Sequence, residues 1–207
     1  MIKVIQPKSN EFFKALIQQD RVQRYLNTIR KHHGDTYGHS FRVGLLSVDL
    51  GYDNECSDED LTILGYAGLL HDTGKTDVPA EVLSKPMKLS TKEKKIIRSH
   101  PRLGFLQLED FEYDTVRRVV VAHHEYQQNP SPRMSNNRRT ITREEDDRRE
   151  NNERITTLTQ IVAISDIYDA LISKRAYKDS LPKPEVEIIL RQEFTGNHKY
   201  IDQVILR

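Results

Sequence analysis

The sequence predicts an all-α fold: a single-domain helical bundle with a histidine-rich polar site at one pole. Three observations predict it. Apolar residues recur at helical spacing in one segment after another. Ser57 with Asp60, and Ser90 with Glu93, read as helix starts of the capping-box type. Five of the eight histidines, His39, His71, His100, His123 and His124, fall at the ends or first turns of these segments, and helix ends of a bundle converge on a pole.

In chain order, residues 9–33 read as a first helix, with Phe12, Phe13, Leu16, Ile17, Val22, Tyr25, Leu26 and Ile29 near one stripe and Gly34 as its stop. This N-terminal helix, within residues 1–33, is expected to pack on a domain of residues 34–207. A second helix runs from near Gly38 to Leu50, with His39 in its first turn. A third starts at Ser57 and delivers His71 and Asp72 at its far end. The next starts at Ser90 and closes at His100-Pro101, where the residue before proline is pushed out of the helical region. A further helix from about Tyr113 carries Val116, Val119 and Val120 up to His123-His124. Residues 155–174 form the last long apolar segment. Its centre, Leu158 to Ile164, is rich in β-branched residues, but its length and the Asp166, Asp169, Ala170 spacing favour a helix over a strand. Helices from about Pro184 to Phe194 and Tyr200 to Leu206 complete the chain. Between Gln127 and Glu153 apolar residues almost vanish and charges nearly balance, which reads as a mobile insertion beside the site.

A chain of 207 residues suffices for one domain with a substantial core. Hydrophobic residues make up 36% and charged ones 30%, and a net charge of +1 provides no global basic field for a nucleic acid polymer or a membrane. Cys56 is the only cysteine, so no disulfide forms within the chain and a reducing, cytoplasmic setting is expected. It sits among charges and reads as inert. No apolar run approaches a membrane span, and Met1 to Pro7 is too short and polar for a signal peptide.

The chemistry centres on His71-Asp72-Thr73-Gly74-Lys75. Imidazole and carboxylate together suit manganese, iron or zinc. Asp72 has two oxygens and could bridge two ions. Five histidines with Asp72 and Asp166 exceed the ligand set of a mononuclear zinc site, so the count points to two divalent ions, or three. Two such ions acidify water and hold the attacking and leaving oxygens of a phosphate ester. Adjacent His123 and His124 point about 100° apart on a helix, so both reach one cluster only at a helix end. Lys75 places a cation beside it. His32, His33 and His198 read as solvated residues.

Four segments together resemble the HD superfamily of metal-dependent phosphohydrolases, and most closely its HD-GYP branch of cyclic dinucleotide phosphodiesterases. They are Thr36-Tyr37-Gly38-His39-Ser40-Phe41-Arg42-Val43; Leu69 to Lys75, continued by Val82 to Ser90 and Ser99-His100-Pro101; Val121-Ala122-His123-His124-Glu125; and Ile161 to Leu171 with Arg175-Ala176-Tyr177. The resemblance spans roughly residues 30–205 and implies an HD-type helical bundle with its metal site at one pole. It implies one ion on His39, His71, Asp72 and Asp166 and a second on Asp72, His100, His123 and His124, iron or manganese being the expected metals. A bridging water or hydroxide is the implied nucleophile. It implies that Lys75 neutralises a phosphate oxygen and that Arg175 and Tyr177 contact substrate, although a salt bridge from Arg175 to Asp169 is an equal expectation. Asp35, four residues before His39, holds a third ion or serves as a helix cap. The implied activity is hydrolysis of a cyclic dinucleotide in signalling. The alternatives are a nucleotidase or dinucleotide polyphosphate hydrolase, and a non-catalytic signalling domain. The expected partner is a small nucleotide, and a homodimer stays open. Where the branch has Gly-Tyr-Pro after His-His-Glu, this chain has Tyr126-Gln127-Gln128-Asn129-Pro130, so a slow or relaxed enzyme with weak preference among cyclic dinucleotides is expected.

Overall fold

The structure is a computed structural model that describes residues 6–128, 145–173 and 180–207. The helices are α1 (Pro7–Ile17), α2 (Asp20–His32), α3 (Gly34–Asp53), α4 (Asp58–Leu70), α5 (Ala80–Leu83), α6 (Thr91–Ile97), α7 (His100–Gln107), α8 (Asp114–Ala122), α9 (Glu145–Ile172), α10 (Lys183–Glu193) and α11 (Lys199–Ile205). A 3-10 turn, Thr73–Asp77, joins α4 to α5. Among the described residues the only extended pairing is an isolated antiparallel bridge between Gln127 and Phe194. The all-α expectation is borne out.

The predicted first helix is two. Gln19 is extended, at φ −64° and ψ 124°, and separates α1 from α2. The apolar stripe explains the break. Phe13 and Leu16 are buried in α1, and Val22, Leu26 and Ile29 in α2. Leu16 and Val22 are six positions apart, about 240° around a continuous helix, so one straight helix cannot bury both sets. Gly34 does not stop a helix either; it opens α3, whose first turn is capped by the His33 side chain accepting from the Thr36 amide. His39 therefore sits in the second turn of α3, not the first. His100, expected to close a helix, opens α7, with Pro101 in the first turn where its missing N–H costs nothing. Helix starts at Ser57 and at the reciprocal Ser90–Glu93 capping box are as predicted.

Helices α3, α4 and α9 form the centre. Gly68 of α4 meets Gly44 of α3 so closely that a Cβ on Gly68 would lie 2.7 Å from the Gly44 Cα. In α9, Ile161, Val162, Ala163 and Ile164 are all fully buried. A helix buried on every side has no polar face to impose a period, which is why this run resembles a strand in sequence. It also corrects the reading of apolar runs: Asn152–Ile172 is long and apolar enough to cross a membrane by length and composition, with 61% of its apolar window buried in the protein. The stretch read as an insertion is already helical from Glu145, and Arg154 of α9 binds Asp60 at 2.6 Å; residues 129–144 lie outside the described residues.

A buried ion network fastens α11 to α1 and α3. Arg207 Nη2 lies 2.8 Å from both Asp49 Oδ2 and Asp53 Oδ2. Ser9 Oγ donates to Asp49 Oδ1 at 2.6 Å. The Asp49 side chain is 1% exposed. Removing one partner of a buried pair leaves an uncompensated charge, costing roughly 3–5 kcal/mol. Arg207→Ala is expected near the lower end because Asp49 keeps its Ser9 hydrogen bond, so thermal melting should fall by about 6–12 °C for a chain of this size.

Candidate metal centre

The five histidines and two aspartates predicted from sequence meet in one place. His71 is the C-cap of α4, and Asp72 follows at φ −98° and ψ 7° in the turn toward Thr73. His100 begins α7. His123 is the C-cap of α8, at φ −60° and ψ −18°, and the His123 and His124 ring centroids lie 4.0 Å apart. His39 and Asp166 reach the cluster from within α3 and α9. His39, His71, Asp72, His100, His123 and Asp166 are buried.

Backbone geometry settles which nitrogen of three rings is bare. The Nδ1 atoms of His71, His100 and His123 lie 2.8, 2.7 and 2.6 Å from the carbonyl oxygens of Gly68, Ile97 and Val120. A carbonyl only accepts, so each Nδ1 donates its proton and each neutral ring presents a lone pair at Nε2. Those lone pairs converge. His100 Nε2 and His123 Nε2 face each other at 3.3 Å. Two lone pairs at that distance repel unless a cation lies between them. His71 Nε2 and His124 Nδ1 are buried without a hydrogen-bond partner among the described residues. Inward-facing bare nitrogens with outward N–H groups held by carbonyls are the arrangement of metal-binding imidazoles.

The carboxylates divide the cluster in two. Asp72 Oδ2 lies 3.4 Å from His71 Nε2 and 3.8 Å from His39 Nε2, while Oδ1 lies 3.2 Å from His100 Nε2. Asp166 Oδ1 lies 2.9 Å from His39 Nε2, and its Oδ2 is 4.0 Å from His124 Nδ1. Three overlapping groups could each hold an ion: His39 with His71 and Asp166; His71 with Asp72 and His123; His100 with His123 and His124.

Electrostatics agree with this arrangement. Burial pushes His100 down to about 3, against the pull of Asp72. Burial and the neighbouring His124 hold His123 well below the usual imidazole range. Burial would raise Asp72, but Lys75, then His71 and His100, hold it well below the usual carboxylate range. Asp166 is likewise held low by His39 and His71 against the effect of burial. Burial would lower His71, but Asp72 and Asp166 outweigh it and raise its pKa; they draw positive charge to the point a cation would fill.

Sequence reasoning missed Asp169 and Arg42. His39 Nδ1 donates to Asp169 Oδ2 at 2.7 Å. Arg42 Nε donates to Asp169 Oδ1 at 2.7 Å, and its Nη2 to Oδ2 at 3.0 Å. This carboxylate fixes the His39 ring and turns its Nε2 toward the cluster. The signal was present: Asp169 lies one turn beyond Asp166 and Arg42 three residues beyond His39. Arg175 and Tyr177 lie outside the described residues. Asp35 is not the cap of α3, which is His33; it is exposed in the first turn and lines a cavity with His39 and Lys75. His32 and His33 are not merely solvated. His32 Nε2 donates to the Val78 carbonyl at 2.8 Å, and His33 is the cap. Lys75 Nζ donates to Asp72 Oδ2 at 2.6 Å from the 3-10 turn.

Comparison with known proteins agrees with the site. The chain is 34% identical over 143 residues to a cyclic di-GMP phosphodiesterase of Pseudomonas aeruginosa, covering 69% of this chain and 32% of that protein. It is 28% identical over 189 residues to a cyclic di-GMP phosphodiesterase of Thermotoga maritima, covering 89% and 47%. It is 29% identical over 171 residues to a 3′3′-cGAMP-specific phosphodiesterase of Vibrio cholerae, covering 81% and 33%. The chain thus spans a third to a half of the length of these relatives. The family model of the HD domain matches residues 36–171, a stretch that begins just before His39 and closes just after Asp166 and Asp169. The family read from the motifs is borne out: this chain belongs to the HD domain family.

Proposed function

We propose that this chain is a metal-dependent phosphodiesterase that hydrolyses a cyclic dinucleotide. The observation that carries it is the ring of bare imidazole nitrogens around Asp72, whose two oxygens face different histidines. The donor set fits two divalent ions of the iron or manganese kind. When bound, they supply Lewis-acid chemistry, acidifying water and holding phosphate oxygens. The relatives named as cyclic di-GMP and 3′3′-cGAMP phosphodiesterases support the substrate class.

The chain's own residues do the remainder. Asp72 joins the two halves of the cluster. Asp169 and Arg42 hold the His39 ring in one orientation. Among the described residues Lys75 lines two cavities that open onto the cluster, of about 510 and about 310 Å³, and its role is to neutralise a phosphate oxygen. The reaction adds water to phosphorus and breaks the bond to one ribose oxygen, which leaves with a proton. A cytoplasmic setting suits a nucleotide substrate.

The test is metal analysis of anaerobically purified protein alongside a panel of cyclic dinucleotides, linear dinucleotides, mononucleotides and dinucleotide polyphosphates, read by chromatography. Turnover confined to mononucleotides or polyphosphates would replace this reading with a nucleotidase. Lys75→Ala should lower turnover by roughly a hundredfold, the order seen when one preorganised charge-stabilising group is lost, with metal content unchanged. An unaltered rate would remove Lys75 from the site chemistry.

A further inference from the structure

The cavities of about 510 and about 310 Å³ meet at the cluster and share His39, Asp72 and Lys75. A diester bearing a nucleoside on each side, with its phosphate at the cluster, directs one nucleoside into each cavity. The smaller cavity has two kinds of wall. Ile167, Ala170 and Leu171 of α9 and Ile189 of α10 form an apolar wall, while Gln127 and Glu193 add polar groups. Its volume lies near the lower end of ligand sites, roughly 300–1,000 Å³.

Glu193 stands at the exposed edge of this cavity. Among the described residues its carboxylate makes no hydrogen bond or ion pair. It is the last residue of α10, the end at which the helix macrodipole disfavours a negative charge. Neighbouring Arg191 instead binds Glu187 and Asp202, at 2.8 and 2.7 Å. A bare carboxylate on the wall of a cavity that receives an anion repels it unless the ligand also brings donors. The backbone around it is held in place: Gln128 N donates to the Glu193 carbonyl at 2.9 Å, and Thr195 N to the Tyr126 carbonyl at 3.0 Å. These bonds pin the main chain at the end of α10 to the turn that follows His123 and His124.

We propose that the smaller cavity is a guanine subsite and that the Glu193 carboxylate selects guanine over adenine. The inference rests on the cyclic dinucleotide reading above. A carboxylate only accepts hydrogen bonds. Guanine presents a ring N–H and an exocyclic amine side by side, two donors matched to two oxygens. Adenine presents a ring nitrogen lone pair at the corresponding place, which a carboxylate repels. A site built to bond a donor rejects the analogue that lacks it, because its own polar group is left unpaired. The apolar wall of α9 and α10 packs against the base, and Ala170 contributes only a methyl group there.

The experiment uses metal-loaded full chain as wild type, Glu193→Gln and Glu193→Ala, with melting curves to confirm folding. Each is assayed on cyclic di-GMP, cyclic di-AMP and bis(p-nitrophenyl) phosphate, and GMP and AMP binding is measured by calorimetry. The expected result is that the ratio of kcat/KM for cyclic di-GMP to that for the aryl diester falls about tenfold or more in both variants, the scale of a lost hydrogen bond to a charged group. The preference for guanine over adenine should fall with it. Identical ratios in wild type and variants, with cyclic di-GMP still hydrolysed, would overturn the subsite and leave the proposed function standing. Failure of wild type on every cyclic dinucleotide would overturn the proposed function instead. Calorimetry then decides the subsite alone: GMP binding weakened in Glu193→Gln supports it, and equal binding in both proteins overturns it.

Discussion

Asp72→Ala is expected to abolish phosphodiester hydrolysis, because in the proposed mechanism two ions that share this carboxylate would hold both reacting oxygens. Under the proposed two-ion reading it should also lower metal content to one ion per chain or none. Asp72 Oδ2 lies within 3.8 Å of His39 and His71 and its Oδ1 within 3.2 Å of His100. Alanine removes the shared ligand and leaves Lys75 without its partner at 2.6 Å. Asp72→Asn retains the shape and removes the charge, so it should lose metal nearly as fully. Elemental analysis with turnover on cyclic di-GMP checks both. A fully active protein holding a single ion per chain would show that Asp72 does not bridge.

Gly74→Ala is expected to destabilise the fold by about 3 kcal/mol, the upper range for forcing extra atoms into a packed site, and to displace His100. A Cβ at position 74 would overlap the His100 carbonyl oxygen and lie 2.5 Å from the Gly104 amide nitrogen. Both are backbone atoms, which cannot rotate aside as a flexible side chain would. The strain is spatial, since no glycine here has positive φ. The 3-10 turn carrying Lys75 must therefore part from α7, whose first residue is His100. The expected readouts are a melting temperature lower by roughly 6–12 °C and weaker metal binding. Gly104→Ala is the control. Its added Cβ meets only contacts of 3.2 Å and longer, the nearest two being side-chain methyls of Val120 and Thr73, so its effect should be much smaller.

Much of the fold was legible because local rules decide it. The caps at Ser57 and Ser90, the apolar spacing of α8 and the turn after Ala122 each depend on fewer than about ten neighbouring residues. The ends that were misread share one cause. His33, Gly34 and His100 lie where one helix ends and another begins within a few residues, and a breaker there signals a boundary without saying which side it belongs to. The α1–α2 break was visible as a phase jump between Leu16 and Val22, but it could be mistaken for a wider stripe.

The chemistry of the site divides in the same way. The sequence by itself determined which side chains can bind a cation: imidazoles and carboxylates, most of them near helix ends, with Lys75 three residues after Asp72. Residue type and short spacing suffice for that. Only the tertiary structure decided which atoms face one another. Asp169 looked like a generic acidic residue until α9 packed on α3 and brought it to 2.7 Å from His39, 130 positions away in the chain. Asp72 was a candidate bridge from sequence, but only the packing of α7 placed His100 3.2 Å from its Oδ1. Glu193 reads as a surface charge in any window of sequence; a cavity between α9 and α10 makes it a group that could read a base. Such roles belong to distances across the fold, and hydrophobic packing of distant helices sets those distances.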